Sequence, residues 1–361
     1  MKAVILVGGK ATRLEPLSIY TPKALMPVLN VPLLEYVVRN LARYQMQDIV
    51  LALGNLAKPI TGNFGDGSRF GVKLFYSIED TPLGSAGAVK KVEEYLDDTF
   101  LVINGDNFID LDYMAMINLH RERKAQVTIA LTLVDDPTRY GLVETDTHGR
   151  VIRFLEKPKL EEVTTNTVNA GAWLVEPGVL SRIPSGIPLS FERNVFPELL
   201  SYGEPVYAYI SSGYWMDTGT PELYLRLHRD LFAGKSVQYQ PTSNISIDRH
   251  TEINSEAKLI GPVVIGANCS IGRGVEIIGP VVIGDGCTIL EDTIIEGSVI
   301  WRNVRLGPRV SLKNCILADN CCINQDSVCE DSVLGDNVTL AMGSRLKPGS
   351  KINPGTTIKP E

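Results

Sequence analysis

The chain has 361 residues, 44% of them hydrophobic, enough to bury a large core and to divide into two domains. Its formal net charge of −7 excludes nucleic acid as the main partner, because a phosphate backbone requires basic surface. No apolar run reaches the length of a membrane span, and the first residues lack the pattern of a signal peptide.

The chain opens on Val4-Ile5-Leu6-Val7, a continuous apolar run that reads as a strand buried on both faces, ended by Gly8-Gly9. A loop leaving the carboxyl edge of a parallel sheet is where α/β folds bind ligands. Glycines there let backbone N–H groups approach an anion, and Lys10, Arg13 and Lys23 add cations. The spacing is neither that of a dinucleotide fingerprint nor that of a P-loop. From the glycines alone an ordinary strand-to-loop turn serves equally well. Pro16, Pro22 and Pro27 favour the anion reading, since they stiffen the loop that carries the cations.

Asn30 suits a helix cap with Pro32 in the first turn, and Leu33, Leu34, Val37, Val38 and Leu41 share one face. Residues 48–53 form the next strand and 72–76 another, giving a mostly parallel sheet. A second glycine loop, Pro82-Leu83-Gly84-Ser85-Ala86-Gly87, runs into a helix; by itself it reads as a helix start with small residues for close packing. The apolar strand 100–103 ends in Asn104-Gly105-Asp106, and strand 206–210 precedes Trp215-Met216-Asp217-Thr218-Gly219. Carboxylates beyond the ends of buried strands are poorly explained by packing, and two of them suit Mg²⁺, which prefers oxygen ligands. Residues 140–144 and 151–158 form a hairpin turning at 147–149, and Glu156-Lys157-Pro158 sets a carboxylate beside an ammonium. Thr220-Pro221 starts a helix that Gly234 ends. None of the four histidines has metal-ligand spacing.

After residue 235 the composition shifts to Ser, Gln, Pro and Thr, and then a repeat begins. Ile265, Ile271, Ile277, Ile283, Ile289 and Ile295 recur every six residues. After a slip near Trp301 the period resumes through Val304, Val310, Ile316, Cys322, Val328, Leu334, Leu340, Leu346, Ile352 and Ile358. A six-residue apolar period is the mark of a parallel β-helix, in which one side chain per short face points inward. The six cysteines all follow residue 268, and Cys321 and Cys322 are adjacent, which suits neither a disulfide framework nor paired CxxC sites. They read as reduced, buried apolar residues of a cytoplasmic protein.

Gly8-Gly9-x-x-Thr12-Arg13-Leu14-x-Pro16-Leu17-Ser18, followed by Pro22-Lys23-Ala24-Leu25-Met26-Pro27-Val28, resembles the signature of the sugar-1-phosphate nucleotidylyltransferases, with Ala11 where that family has a third glycine. P-L-G-S-A-G, F-L-E-K-P, N-A-G and W-M-D-T-G extend the likeness, which is greatest to mannose-1-phosphate guanylyltransferases carrying C-terminal hexapeptide repeats. The resemblance implies a Rossmann-like α/β nucleotidyltransferase domain over 1–233, a linker over 234–249 and a left-handed parallel β-helix over 250–361. It implies that Leu6, Gly8, Gly9, Gly84 and Gly87 bind the nucleotide and that Arg13 and Lys23 are catalytic. Gly141, Glu156, Lys157 and Asn169 would bind the sugar phosphate, and Asp106 and Asp217 would hold Mg²⁺. The reaction implied is NTP plus sugar 1-phosphate giving NDP-sugar and pyrophosphate, with GTP and mannose 1-phosphate first and a glucose-1-phosphate thymidylyl- or uridylyltransferase as the alternative. A non-catalytic nucleotide-sugar-binding regulatory subunit is the alternative of another class. A homo-oligomer assembled through the β-helix completes the expectation, because its exposed coil faces are natural subunit contacts.

Overall fold

The computed structural model describes residues 1–9, 11–54, 57–239 and 241–359. Two compact units divide the chain: residues 1–9 with 34–216, and residues 10–33 with 217–361.

The first unit is a Rossmann-like mixed sheet of nine strands. Its parallel part runs Phe100–Asn104, Ala3–Val7, Asp48–Leu53, Lys73–Ile78 in space. Strand Thr167–Val175 pairs antiparallel with Phe100–Asn104 and carries the rest. On it dock the hairpin Gly141–Thr145/Val151–Glu156 and strand Val127–Leu133, the latter parallel to Val206–Ile210. The antiparallel part thus comes from the segment that carries F-L-E-K-P and N-A-G. Helix Gly84–Lys90 and residues 191–196 cover the core, where Trp173, Phe191 and Phe196 pack with ring centroids 5.5–5.6 Å apart. Such aromatic packing adds to the area term of burial.

The second unit combines residues 10–33, helix Pro221–Phe232 and a long series of parallel coils. Asn30 is not a helix cap. Leu29 and Asn30, with φ of 49° and 65°, form the two-residue turn of a hairpin between Pro27–Val28 and Val31–Pro32, and the helix starts at Leu33. Positive φ at both central residues is what such a turn demands. Thr220 caps helix Pro221–Phe232, its side chain accepting from Leu223 N–H.

The coils start at Ile245 and stack in three parallel sheets of seven, seven and five strands, the left-handed β-helix that the period predicts. Ile265, Ile283, Ile300, Leu317, Leu334 and Ile352 lie in register on one face; Ile271, Ile289, Leu306, Ile323, Leu340 and Ile358 on the next. Ile277, Ile295, Leu312 and Cys329 occupy the third. The second apolar series read from the sequence is therefore out of phase until Leu334. Val304, Val310 and Ile316 are buried, but Cys322 and Val328 are only half-buried, and the inward stack passes through Leu306, Leu312, Leu317, Ile323 and Cys329. The physical reason lies in one corner: Gly279-Pro280 turns with an extra residue, whereas Gly297, Asn314 and Asp331 turn alone in the left-handed conformation, so three successive coils are one residue shorter. All six cysteines are free and five are buried, Cys322 being the half-buried one. Among the described residues no helix is long and apolar enough to cross a membrane.

Candidate active site

In the first unit, the buried strand Ala3–Val7 delivers Gly8 and Gly9 to solvent at its carboxyl end. Among the described residues a Cβ on either would meet nothing within 4 Å, and neither has positive φ. Packing among the described residues and backbone geometry thus give no reason for glycine there, and glycine leaves the backbone open to close approach. Leu6, half-buried, pairs with Ala52 and Asn104 and its carbonyl accepts from Gly105 N–H at 2.9 Å. Gly105 is a packing glycine, since a Cβ would fall 2.7 Å from Ile5 Cγ2 and 2.8 Å from Val7 Cγ2. That tight passage puts Asp106, half-buried, directly beyond strand Phe100–Asn104.

Gly84 and Gly87 behave differently from Gly8 and Gly9. Gly84 has φ 71°, and added Cβ atoms would meet Leu189 O at 2.5 Å and Ile187 O at 2.8 Å respectively. The Leu189 carbonyl accepts from the N–H groups of Ala86 and Gly87, at 2.9 and 3.2 Å, so it satisfies the open donors at the start of helix Gly84–Lys90. Beside it, Ser85 Oγ donates to Glu192 Oε2 at 2.7 Å and accepts from Phe191 N–H at 2.9 Å. Ser190 Oγ also donates to Glu192. The sequence reading missed Glu192; its only signal is an acidic residue set between the buried Phe191 and Val195.

On the antiparallel side, Gly141 lies opposite Glu156, and a Cβ at Gly141 would come within 3.0 Å of Glu156 Oε2 and 2.7 Å of Phe154 Cζ. Glycine at 141 therefore lets the carboxylate lie across the strand. Burial first, and the charge of Glu192 second, push the Glu156 carboxyl above the usual range, with Lys157 and Arg193 opposing. Lys157 takes φ 52°, held by its N–H to Tyr140 O at 2.9 Å, and its exposed ammonium is 4.0 Å from Glu156. Asn169 Oδ1 accepts from Gly171 N–H and from Trp173 Nε1–H, both at 2.9 Å; two donors on one atom fix it as the oxygen and turn the NH₂ the other way.

In the second unit, Arg13 follows Ala11, whose φ of 48° and ψ of 39° are left-handed. Ser18 Oγ and Leu14 N–H both donate to Ala11 O at 2.9 Å. Lys23, only 7% exposed, sets its ammonium 2.8 Å from Asp217 Oδ1, and Arg13 Nη2 lies 3.5 Å from Asp217 Oδ2. A Cβ on Gly219 would lie 2.8 Å from Arg13 Nη2 and 3.0 Å from Asp217 Oδ2, which explains the glycine of W-M-D-T-G. So the structure joins three predicted residues, Arg13, Lys23 and Asp217, across more than 190 positions of sequence. Lys10 lies outside the described residues. Among the described residues no group of three or more His, Cys, Asp or Glu side chains could hold a metal ion, so an ion here would rest on one or two carboxylates with substrate and water.

A nucleotidyl transferase family model matches residues 2–233, and a model described as the EIF2B subunit epsilon LbH domain matches residues 276–361. The chain is 35% identical over 313 residues to a mannose-1-phosphate guanylyltransferase from Mycobacterium tuberculosis, covering 84% of this chain and 80% of that one. It is 36% identical over 333 residues to a UTP–glucose-1-phosphate uridylyltransferase from Synechocystis, covering 86% of each. Among solved structures, HddC from Yersinia pseudotuberculosis complexed with GMP-PN superposes with a TM-score of 0.55 at 29% identity, over 63% of this chain and 98% of that one.

Proposed function

This chain belongs to the nucleotidyl transferase family and is a sugar-1-phosphate nucleotidylyltransferase, and we propose that it joins GTP and mannose 1-phosphate into GDP-mannose and pyrophosphate. The observation that carries the chemistry is the cluster of Arg13 and Lys23 on Asp217, in the chain segment that continues from two glycines whose Cβ positions are open among the described residues. The likeness to the mycobacterial guanylyltransferase over 84% of the chain supports the substrates. The uridylyltransferase relative, equally similar, favours a second reading in which UTP and glucose 1-phosphate are used.

The attacking sugar phosphate oxygen is already ionised, so no protein base is needed; the chain must orient two anions and balance their charge. At about 4 Å two unit charges repel by about 1 kcal/mol in water and by more in a partly dehydrated site. Arg13 and Lys23 serve the triphosphate and the departing pyrophosphate, and Lys157 the sugar phosphate. Glu156 and the Asn169 amide orient sugar hydroxyls, while Leu6, Gly8, Gly9, Gly84 and Gly87 form the nucleotide side.

Asp106 and Asp217 are the Mg²⁺ ligands in this reading. Their donor set fits a hard cation, and an ionised carboxylate has about four acceptor positions, so the two ion pairs of Asp217 do not exhaust it. When bound, the metal supplies charge neutralisation on the phosphates. We assign the transferase domain to 1–233, the linker to 234–249 and the β-helix to 250–361, the last as a homo-oligomer contact. Six free thiols, five of them buried, suit the reducing cytoplasm.

The test is pyrophosphate release with Mg²⁺ across GTP, dTTP, UTP, ATP and CTP against mannose, glucose and N-acetylglucosamine 1-phosphates. Turnover concentrated in the GTP and mannose 1-phosphate cell is expected. Turnover concentrated with UTP and glucose 1-phosphate would replace the substrates and keep the reaction.

A further inference from the structure

The segment that carries Lys23 is bonded to the coil domain at two points. The tip of the hairpin Pro27–Val28/Val31–Pro32 donates from Asn30 Nδ2 to the carbonyl of Ile283, on the third coil, at 2.8 Å. At the base of that hairpin the Pro27 carbonyl accepts from the Tyr224 hydroxyl, and Tyr224 Oη in turn accepts from Trp301 Nε1–H at 3.1 Å. Trp301 is 2% exposed and Tyr224 1%, so this relay is shielded from water, where an unmet donor or acceptor is costly. Tyr224 lies in helix Pro221–Phe232, directly after Asp217-Thr218-Gly219, and the same helix reaches the coils again through Arg229 Nη2 to Asn314 Oδ1 at 2.9 Å. Both partners of the Lys23–Asp217 pair thus hang on elements fastened to the β-helix.

We propose that Trp301, Tyr224 and Asn30 are positioning residues for the transfer: the coil domain fixes the backbone of residues 22–30, and through it the ammonium of Lys23 against Asp217. The proposal rests on the assignment of Lys23 to the reacting phosphates. The turn itself supports a positioning role. Leu29 has φ 49°, a conformation that costs a branched side chain about 1–2 kcal/mol and that persists only where the surroundings impose it. Leu29 is 5% exposed and the next residue is the one bonded to the coil. The hexapeptide domain is on this account part of the catalytic apparatus, beyond any role in assembly.

Three single variants of the full-length protein test it. Tyr224→Phe removes the central hydroxyl, Trp301→Phe keeps a ring and removes its donor, and Asn30→Gly keeps the left-handed turn and removes the amide. The first readout is backbone hydrogen exchange of residues 23–28, which needs no substrate. Exchange is expected to rise about tenfold in Tyr224→Phe and less in the other two. The second is steady-state kinetics with the nucleotide and sugar phosphate that the wild-type protein turns over. Tyr224→Phe should lower kcat about tenfold with each KM within about twofold, and adding Trp301→Phe should lower it little further, because the two act in one relay. Unchanged exchange in both Tyr224→Phe and Asn30→Gly would overturn the proposal. So would looser exchange with unchanged kcat, which is the outcome of a purely structural contact. Silence of the wild-type protein with every substrate pair would refute the functional reading instead, and the exchange result would still decide whether the coil holds the segment.

Discussion

Ala11 occupies the one position where this chain departs from the glycine pattern of its family, and its φ of 48° is in the region where a Cβ crowds the following carbonyl. The strain is about 1–2 kcal/mol, while glycine would give back about 0.5–1 kcal/mol through the entropy of the unfolded chain. Ala11→Gly should therefore stabilise the protein by about 0.5 kcal/mol, a rise of one or two degrees in Tm, and leave kcat/KM for the nucleotide equal or a few-fold higher. Thermal unfolding checks the sign, and a lower Tm would mean that the carbonyl bonds from Ser18 and Leu14 already repay the strain. Asp217 is a sharper case. Asp217→Asn keeps the shape but removes the carboxylate charge that lies 2.8 Å from the Lys23 ammonium, itself 7% exposed. Breaking a buried pair in this way costs about 3 kcal/mol, and losing a carboxylate that orients Lys23 and would hold the proposed Mg²⁺ should cost about 10²–10³ in kcat. Urea unfolding and turnover should both fall, and a variant with full activity would remove Asp217 from the site.

At the scale of elements, helix Gly84–Lys90 and the chain at 187–192 form one assembly. Gly84→Ala would force a Cβ to 2.5 Å from Leu189 O at positive φ, and Gly87→Ala to 2.8 Å from Ile187 O; backbone atoms cannot swing away as a flexible side chain can. Both should lower Tm, Gly84→Ala by more, and both should raise KM for the nucleotide by letting the loop 79–87 drift. Equal stability of Gly84→Ala and wild type would contradict this packing role. The two glycine loops also mark what a sequence reveals. Gly8 and Gly9 ending a buried apolar run mark the carboxyl end of a strand and the loop that leaves it, because that signal is wholly local. The hold of residues 187–189 on Gly84 and Gly87, and Ser85 on Glu192, were hidden because the partners are about a hundred residues apart, with no period linking them. The coils were legible down to single inward residues as far as Ile295, where each turn takes six. Beyond it, one-residue corners at Gly297, Asn314 and Asp331 break the count, and the buried Val304 and Val310 gave a false phase because they too point to the core.

For the molecule as a whole, the response to acid follows from one buried base. His228 is 2% exposed, its Nδ1 engages Tyr224 O at 2.9 Å, and its Nε2 has no hydrogen-bond partner among the described residues. Burial pushes its pKa down to about 4 from an ordinary 6.5. Between those values the unfolded chain binds a proton that the native chain refuses, so stability rises with pH in that window and is lost as pH falls through it. From pH 6.5 to 5 the loss amounts to about 2 kcal/mol. Glu156 and Asp336 act in the opposite sense, because burial raises both carboxyls and their protonation on acidification relieves the native state. The carboxylates held low, such as Glu144 beside Thr164 and Arg153, withdraw their support only below the usual carboxylate range. His228 therefore governs the range from 6.5 to 5. Its ring also stands edge-on to Tyr224 at 4.7 Å, in the relay that reaches Pro27. Urea unfolding at pH 7.5, 6 and 5 should show the wild type weakening steadily and His228→Gln nearly flat. If the two proteins lose stability in parallel, the acid response belongs to the surface carboxylates and not to this buried ring.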